Sequence, residues 1–191
     1  LRKEYNLVAR MEPIIPERPY NSIYMIKNIF FMFWFRFIKR YESFHEQGRT
    51  MEIVDIFKRN FNAYLGTVFE RVCLELLKCG IIKTPFSFTK IGKQWGKLLS
   101  TRGTYEIDIV AVNERTDEVL FGECKWRDGV DAKKVVKGLV EKARNVKWRN
   151  KERNEYFLVF GKSFSRRISE FEGKKVICVS LRDVEKNLNF S

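Results

Sequence analysis

The sequence is poor in the residues that most cofactor and metal chemistry uses. It has one histidine, His45, and four cysteines, Cys73, Cys79, Cys124 and Cys178, scattered in apolar contexts with no CxxC pair. That argues against a structural zinc site and fits reduced thiols in a cytoplasmic protein. No G-x-x-x-x-G-K-[ST] run occurs, so this chain has no P-loop with which to hydrolyse ATP. Long apolar runs are missing too. In the most apolar stretch, "SIYMIKNIFFMFWFRFIKRY", the longest uncharged segment is Asn28 to Phe35, far short of the roughly 20 residues a bilayer needs. The stretch also lacks the position and cleavage site of a signal peptide, so no membrane partner is expected. Internal repeats and low-complexity tracts are absent.

What is present is a foldable, basic chain. Hydrophobic residues make up 45% of 191, with 17 Phe, and 37 Lys and Arg against 24 Asp and Glu leave a formal charge of +13. Such an excess favours a polyanion, nucleic acid first, through phosphate neutralisation; a merely lysine-rich solvated surface is the plainer alternative. Pro13, Pro16 and Pro19 cluster in a loop between two short extended runs, which predicts a β-hairpin. An aromatic segment follows, then a polar linker containing His45, whose position gives it no catalytic role. The expected division is therefore residues 1–45 and 46–191.

From Thr50 to Cys79 apolar residues recur at helical spacing, with Gly80 as a stop; Gly66 leaves open one helix or two. After Pro85 the period becomes two, through "FSFTKIGKQWG" and then "GTYEIDIVAVNERTDEVLFGECKW". A helix from about Asp131 carries the buried stripe Val135, Val136, Leu139, Val140, Ala143 and Val146. Strand "EYFLVFGK", a short helix from about Ser165 to Phe171, strand "KVICVSL" and a terminal helix complete an α/β domain with a mixed central sheet.

The two central strands hold acids where a plain core would hold none. Glu106 and Asp108, two apart, share a strand face, as do Glu123 and Lys125, while Ile107, Ile109 and Ala111 are expected to face the other way. Carboxylates brought close together repel unless one takes a proton or a cation sits between them. Oxygen ligands from Asp and Glu suit Mg²⁺ or Mn²⁺, and a hard ion there can activate water against a phosphoryl group. Lys125 would orient that water or stabilise developing charge. The alternative is an exposed strand face with an ordinary salt bridge.

The pattern "EIDIVA…FGECKW" resembles the PD-(D/E)xK nuclease superfamily, whose restriction-endonuclease-like core runs α-β-β-β-α-β. The resemblance implies a metal-dependent DNA endonuclease with Asp108, Glu123 and Lys125 as its motif, and Glu70 of "GTVFERVC" completing the metal shell, with Glu75 second in rank. More narrowly, "IYMIKNIFFMFWFRFI", "YLGTVFERVC" and the paired strands are similar to the archaeal ATPase family that carries a DUF234-type nuclease-like domain after a P-loop ATPase and a winged helix. That resemblance implies a winged-helix tail with its wing hairpin at the start of this chain. It also implies a fragment of a longer polypeptide and an ATPase domain as partner, ATP entering only through that absent domain. Spacing similar to archaeal Holliday-junction resolvases makes branched DNA a substrate expectation.

Between Asp131 and Arg153 lie nine Lys or Arg against three acids. Lys133, Lys134, Lys137, Lys142, Arg144, Lys147 and Arg149 are the expected DNA contacts, with Trp148 available for stacking. Tyr105, Trp126 and Trp95 are expected to pack. Two other readings stay open: a nuclease fold retained without turnover as a DNA-binding or docking module, and an aromatic segment, Ile29 to Phe37, that docks on an ATPase domain or pairs two copies.

Overall fold

A computed structural model describes residues 7–16, 22–99 and 102–189. The start of the expected winged-helix tail and part of the proline loop, including Pro19, lie outside the described residues. The chain divides into two compact units, one formed by residues 1–11 and 21–68, the other by 12–20 and 69–191.

In the first unit, β1 (Val8–Met11) pairs antiparallel with β2 (Ile23–Ile26). Asn28 then caps α1 (Ile29–Phe33), its side chain accepting from the backbone N–H of Phe30 and Phe31. A π-helical turn over Trp34–Ile38 and a 3₁₀ turn over Lys39–Tyr41 lead into α2 (Glu42–Glu46). Next comes α3 (Thr50–Lys78), one continuous 29-residue helix. Gly66 does not break it: a Cβ there would touch nothing within 4 Å. Gly80, at φ +72, supplies the left-handed residue that ends it. The core of this unit is aromatic. Phe37, 2% exposed, meets Phe33, Phe57, Phe61 and Tyr64 edge-on or tilted, the geometry that ring quadrupoles favour.

The second unit takes the last turns of α3 and adds β3 (Lys90–Lys97), β4 (Thr104–Asn113), β5 (Glu118–Lys125), β6 (Val130–Asp131), α4 (Ala132–Ala143), β7 (Asn154–Gly161), β8 (Phe164–Arg166), β9 (Glu170–Phe171), β10 (Lys174–Ser180) and α5 (Leu181–Leu188). Six strands form a mixed sheet in the order β3-β4-β5-β7-β10-β9. β3, β4 and β5 are antiparallel; β5, β7 and β10 are parallel. Each face carries its own core. Val136, Leu139, Val140 and Ala143 of α4 cover Ile107, Val110, Val112, Phe121 and Phe157. Phe69, Cys73, Leu76 and Leu77 of α3 cover Ile109, Ala111, Leu120, Leu158 and Phe160. The proline loop joins this unit through fully buried Gln94, whose amide group exchanges hydrogen bonds with the backbone N–H and carbonyl of Ile15 at 2.9 and 3.2 Å.

Two expectations are corrected. The segment from Ser165 to Phe171 is not a helix but contributes to β8 and β9. Phe164, Ile168 and Phe171 imitate helical spacing, but Glu172 and Gly173 both adopt positive φ, 50° and 75°, and turn the chain into a tight hairpin between Phe171 and Lys174. The second correction concerns β4. Opposite β3, Gly92 pairs with Val110 and Gln94 with Ile107, so two steps on one strand face three on the other. The extra residue is a β-bulge at Asp108 and Ile109, and it reverses the alternation. Ile107 packs under α4 as the alternation predicts, but Ile109 and Ala111 pack under α3.

Candidate functional site

The ladder between β4 and β5 ends at the pair Ile109–Gly122. Beyond it β4 stays with β3 and β5 stays with β7, so the sheet forks, and Asp108 and Glu123 are the first residues past the fork. Where the backbone ladder stops, N–H groups of β5 are left without a partner on β4. The Asp108 carboxylate takes up one of them, accepting a 2.9 Å hydrogen bond from the backbone N–H of Cys124.

On the α3 side of the fork, carboxylate oxygens of Glu70, Glu106 and Asp108 come within 4.8 Å of one another. This cluster could hold a metal ion, and its all-oxygen donors suit a hard divalent one. Burial, then the charges of Glu123 and Glu70, push the Asp108 carboxyl up to about 7, against the pull of the Cys124 N–H and Lys93. Lys93 of β3 reaches in between, 2.9 Å from Glu70 and 2.5 Å from Glu106. Burial works against its charge, but the bonds to Glu106 and Glu70 outweigh that and raise its pKa. A cation thus already stands among these acids, and Asp108 still retains a proton near neutrality. Both observations fit a site with spare negative charge.

Glu123 faces the α4 side. Its side chain is 8% exposed and is clamped by two ammonium groups, Lys125 at 2.7 Å and Lys142 at 2.9 Å from each carboxylate oxygen. The structure therefore gathers Glu70, Glu106 and Asp108, while Glu123 acts on Asp108 through its charge from across the fork. Glu75 lies outside, exposed and paired with Lys78 at 2.8 Å. The two-residue spacing put Glu106 on one face with Asp108, but only Glu70, Asp108 and Glu123 were expected as the metal ligands. Lys93 and the second clamp on Glu123 were not singled out from sequence; for Lys93, on another strand, there was no signal.

The basic stretch divides. Lys133, Lys134, Lys137 and Lys142 lie on α4, but Lys142 turns to Glu123 instead of joining one open face. Arg144 caps α4 and is exposed, as is Lys147. Arg149 pairs with Asp117. Arg153 is structural: with its side chain 4% exposed, it donates to the carbonyls of Ala143, Val146 and Trp148 beyond the end of α4. Trp148 is half-buried against the core. Tyr105 is buried, and Trp126 packs on Phe69 at 5.2 Å.

A mixed sheet forking beside a carboxylate cluster defines an α/β domain with a candidate metal centre. Residues 34–137, more than half the chain, match the DUF234 family, described as archaea bacterial proteins of unknown function, and the chain belongs to that family. The match takes in Glu70, Glu106, Asp108, Glu123 and Lys125 and ends before Lys142. An uncharacterised protein of Methanocaldococcus jannaschii is 36% identical over 164 residues, which cover 83% of this chain and 35% of that protein. The chain thus spans about a third of the length of this relative. Among the described residues no helix is long and apolar enough to cross a membrane.

Proposed function

We propose that this domain is a metal-dependent DNA endonuclease of the PD-(D/E)xK type, with its helix–sheet order a restriction-endonuclease-like core, acting in an ATPase-associated protein. The observation that carries the reading is the cluster at the sheet fork, where carboxylate oxygens of Glu70, Glu106 and Asp108 lie within 4.8 Å of one another; burial and the neighbouring charges, which push the Asp108 carboxyl up to about 7, agree with it. Glu70, Glu106 and Asp108 would hold Mg²⁺ or Mn²⁺; Glu123, the other acid expected at the metal, would have to release Lys142 to join them. A divalent ion held there supplies a polarised phosphoryl oxygen and a water of lowered pKa.

The residues do the rest. Asp108 would give up its proton on binding an ion. Lys93 holds Glu70 and Glu106 together and keeps their repulsion in check, a task a bound divalent ion would take over. Lys125, about a third exposed and bonded to Glu123, presents a donor at the mouth of the fork, where it orients the attacking water or offsets charge on the phosphate. The basic residues of α4 and the segment after it supply phosphate contacts that position a strand without reading its sequence.

A second reading rests on the double clamp on Glu123, which satisfies that carboxylate without any metal: a nuclease-like module that binds DNA or docks on an ATPase and does not turn over. The test is cleavage of labelled linear, single-stranded and four-way-junction DNA with Mg²⁺ or Mn²⁺ by the native chain, Asp108→Ala and Lys125→Ala. The nuclease reading expects cutting that needs metal and falls by two orders of magnitude or more, as ~10²–10³ for loss of one electrostatic stabiliser. DNA binding equal in all three proteins, with no cutting, would leave the docking module.

A further inference from the structure

On the α4 side of the fork lies a cleft of about 260 Å³ lined by Glu123, Lys125, Arg127, Lys134, Val135, Gly138, Leu139 and Lys142. It sets four cations against one carboxylate. Lys125 and Lys142 are engaged by Glu123. Arg127 and Lys134 have no hydrogen-bond or ion-pair partner for their side chains among the described residues.

The helix is shaped for this cleft. Lys134, Gly138 and Lys142 are spaced four apart and form one stripe of α4. Glycine is the poorest ordinary helix former, yet a Cβ at Gly138 would meet nothing within 4 Å. Packing therefore does not require glycine there. What glycine does is leave the space between two lysines open. Val135 and Leu139 floor the cleft with apolar side chains, so its polar contacts come from the cationic rim.

We propose that this cleft is a phosphate-binding subsite, taking a phosphate group of a nucleic-acid strand beside the carboxylate cluster. Arg127 supplies a planar fork of donors and Lys134 a point charge, while Glu123 fixes Lys125 and Lys142 in the lining beside them. The chemistry is shared by an internal phosphodiester and a terminal phosphomonoester, the latter carrying the larger charge. The subsite rests on the nucleic-acid reading of the fork but needs neither metal nor turnover.

The experiment is equilibrium binding in EDTA of oligonucleotides carrying an internal fluorophore and ending in 5′-phosphate, 3′-phosphate or hydroxyl alone. The proteins are the native chain, Arg127→Gln, Lys134→Gln, Gly138→Gln and, as a charge control on the same helix outside the cleft, Lys133→Gln. Circular dichroism confirms that each is folded, and Gly138→Gln improves helix propensity. The expected result is a loss of about tenfold for Arg127→Gln, Lys134→Gln and the uncharged plug Gly138→Gln, against about twofold for Lys133→Gln. Tighter binding of phosphorylated ends, competed by inorganic phosphate, assigns the subsite to a terminus. Equal binding of all ends, with the same variant losses, assigns it to internal phosphates. If Gly138→Gln binds like the native chain, or Lys133→Gln loses as much as Arg127→Gln, the subsite is overturned in favour of a diffuse basic surface. Since cleavage is not read, failure here is distinct from failure of the nuclease reading.

Discussion

The two sides of the β4–β5 fork hold charge by opposite means. On the α3 side, acids from a helix and a strand crowd together, and the fold copes by inserting Lys93 and by leaving Asp108 protonated near neutral pH. On the α4 side, a single carboxylate anchors two lysines while two further cations stand unpaired at a cleft. The first side carries spare negative charge that could take up a cation, the second spare positive charge that could take up an anion. A phosphodiester bridged to a metal ion is a ligand that would satisfy both.

The largest effect that sharpens this contrast should come from Asp108→Asn. A carboxyl whose folded pKa is raised contributes stability below its unfolded pKa and loses it as pH rises through the folded value. The native chain should therefore weaken progressively from about pH 4 to about pH 7, by an amount on the order of 4 kcal/mol for a carboxyl moved from 3.8 to about 7. Denaturant melts across that range should slope for the native protein and be flat for the asparagine variant, which would then be the more stable at pH 8. A native profile without that slope would mean that neither burial nor the neighbouring acids raise the Asp108 carboxyl.

Next in size is Lys93→Met, which removes the internal cation. Loss of about 1–3 kcal/mol is expected, since Glu70 and Glu106 keep their charges without a partner and remain partly solvated. Mn²⁺ titration by calorimetry should at the same time show tighter binding than in the native chain. Stability lost without a gain in Mn²⁺ affinity would make Lys93 a structural ion pair and nothing more.

The smallest effect tests the other side. Gly138→Ala should stabilise the chain by up to about 1 kcal/mol, because a methyl group has open space and a better helix propensity. A rise in melting temperature is the readout; a fall would show that the cleft has no room to spare.

Much of this was legible in the sequence, for reasons that can be stated locally. The stripe of α4 and the long run of α3 announce themselves by spacing, and Asp108 and Glu123 stand out because apolar neighbours flank them. What was not legible depends on residues meeting from different strands. No periodicity places Lys93 between Glu70 and Glu106. Lys142 looks like one more solvated lysine until α4 is laid over β5. The hairpin at Glu172–Gly173 was missed because its turn residues were outweighed by a helix-like spacing of three apolar side chains. Even the alternation of β4, the plainest pattern in the chain, misleads halfway along.

That last feature bears on which changes the strand can absorb. β4 is written in two phases joined at Asp108 and Ile109: before the join odd-numbered residues point to α4, and after it even-numbered ones do. Exchanging one side chain for another disturbs one wall locally. Removing a single residue at the join would restore plain alternation and leave every core residue on its own wall, whereas removing one elsewhere in the strand would send the residues between the deletion and the join to the opposite wall. The join is therefore the one place where β4 can change its length by a residue and keep both halves of its core.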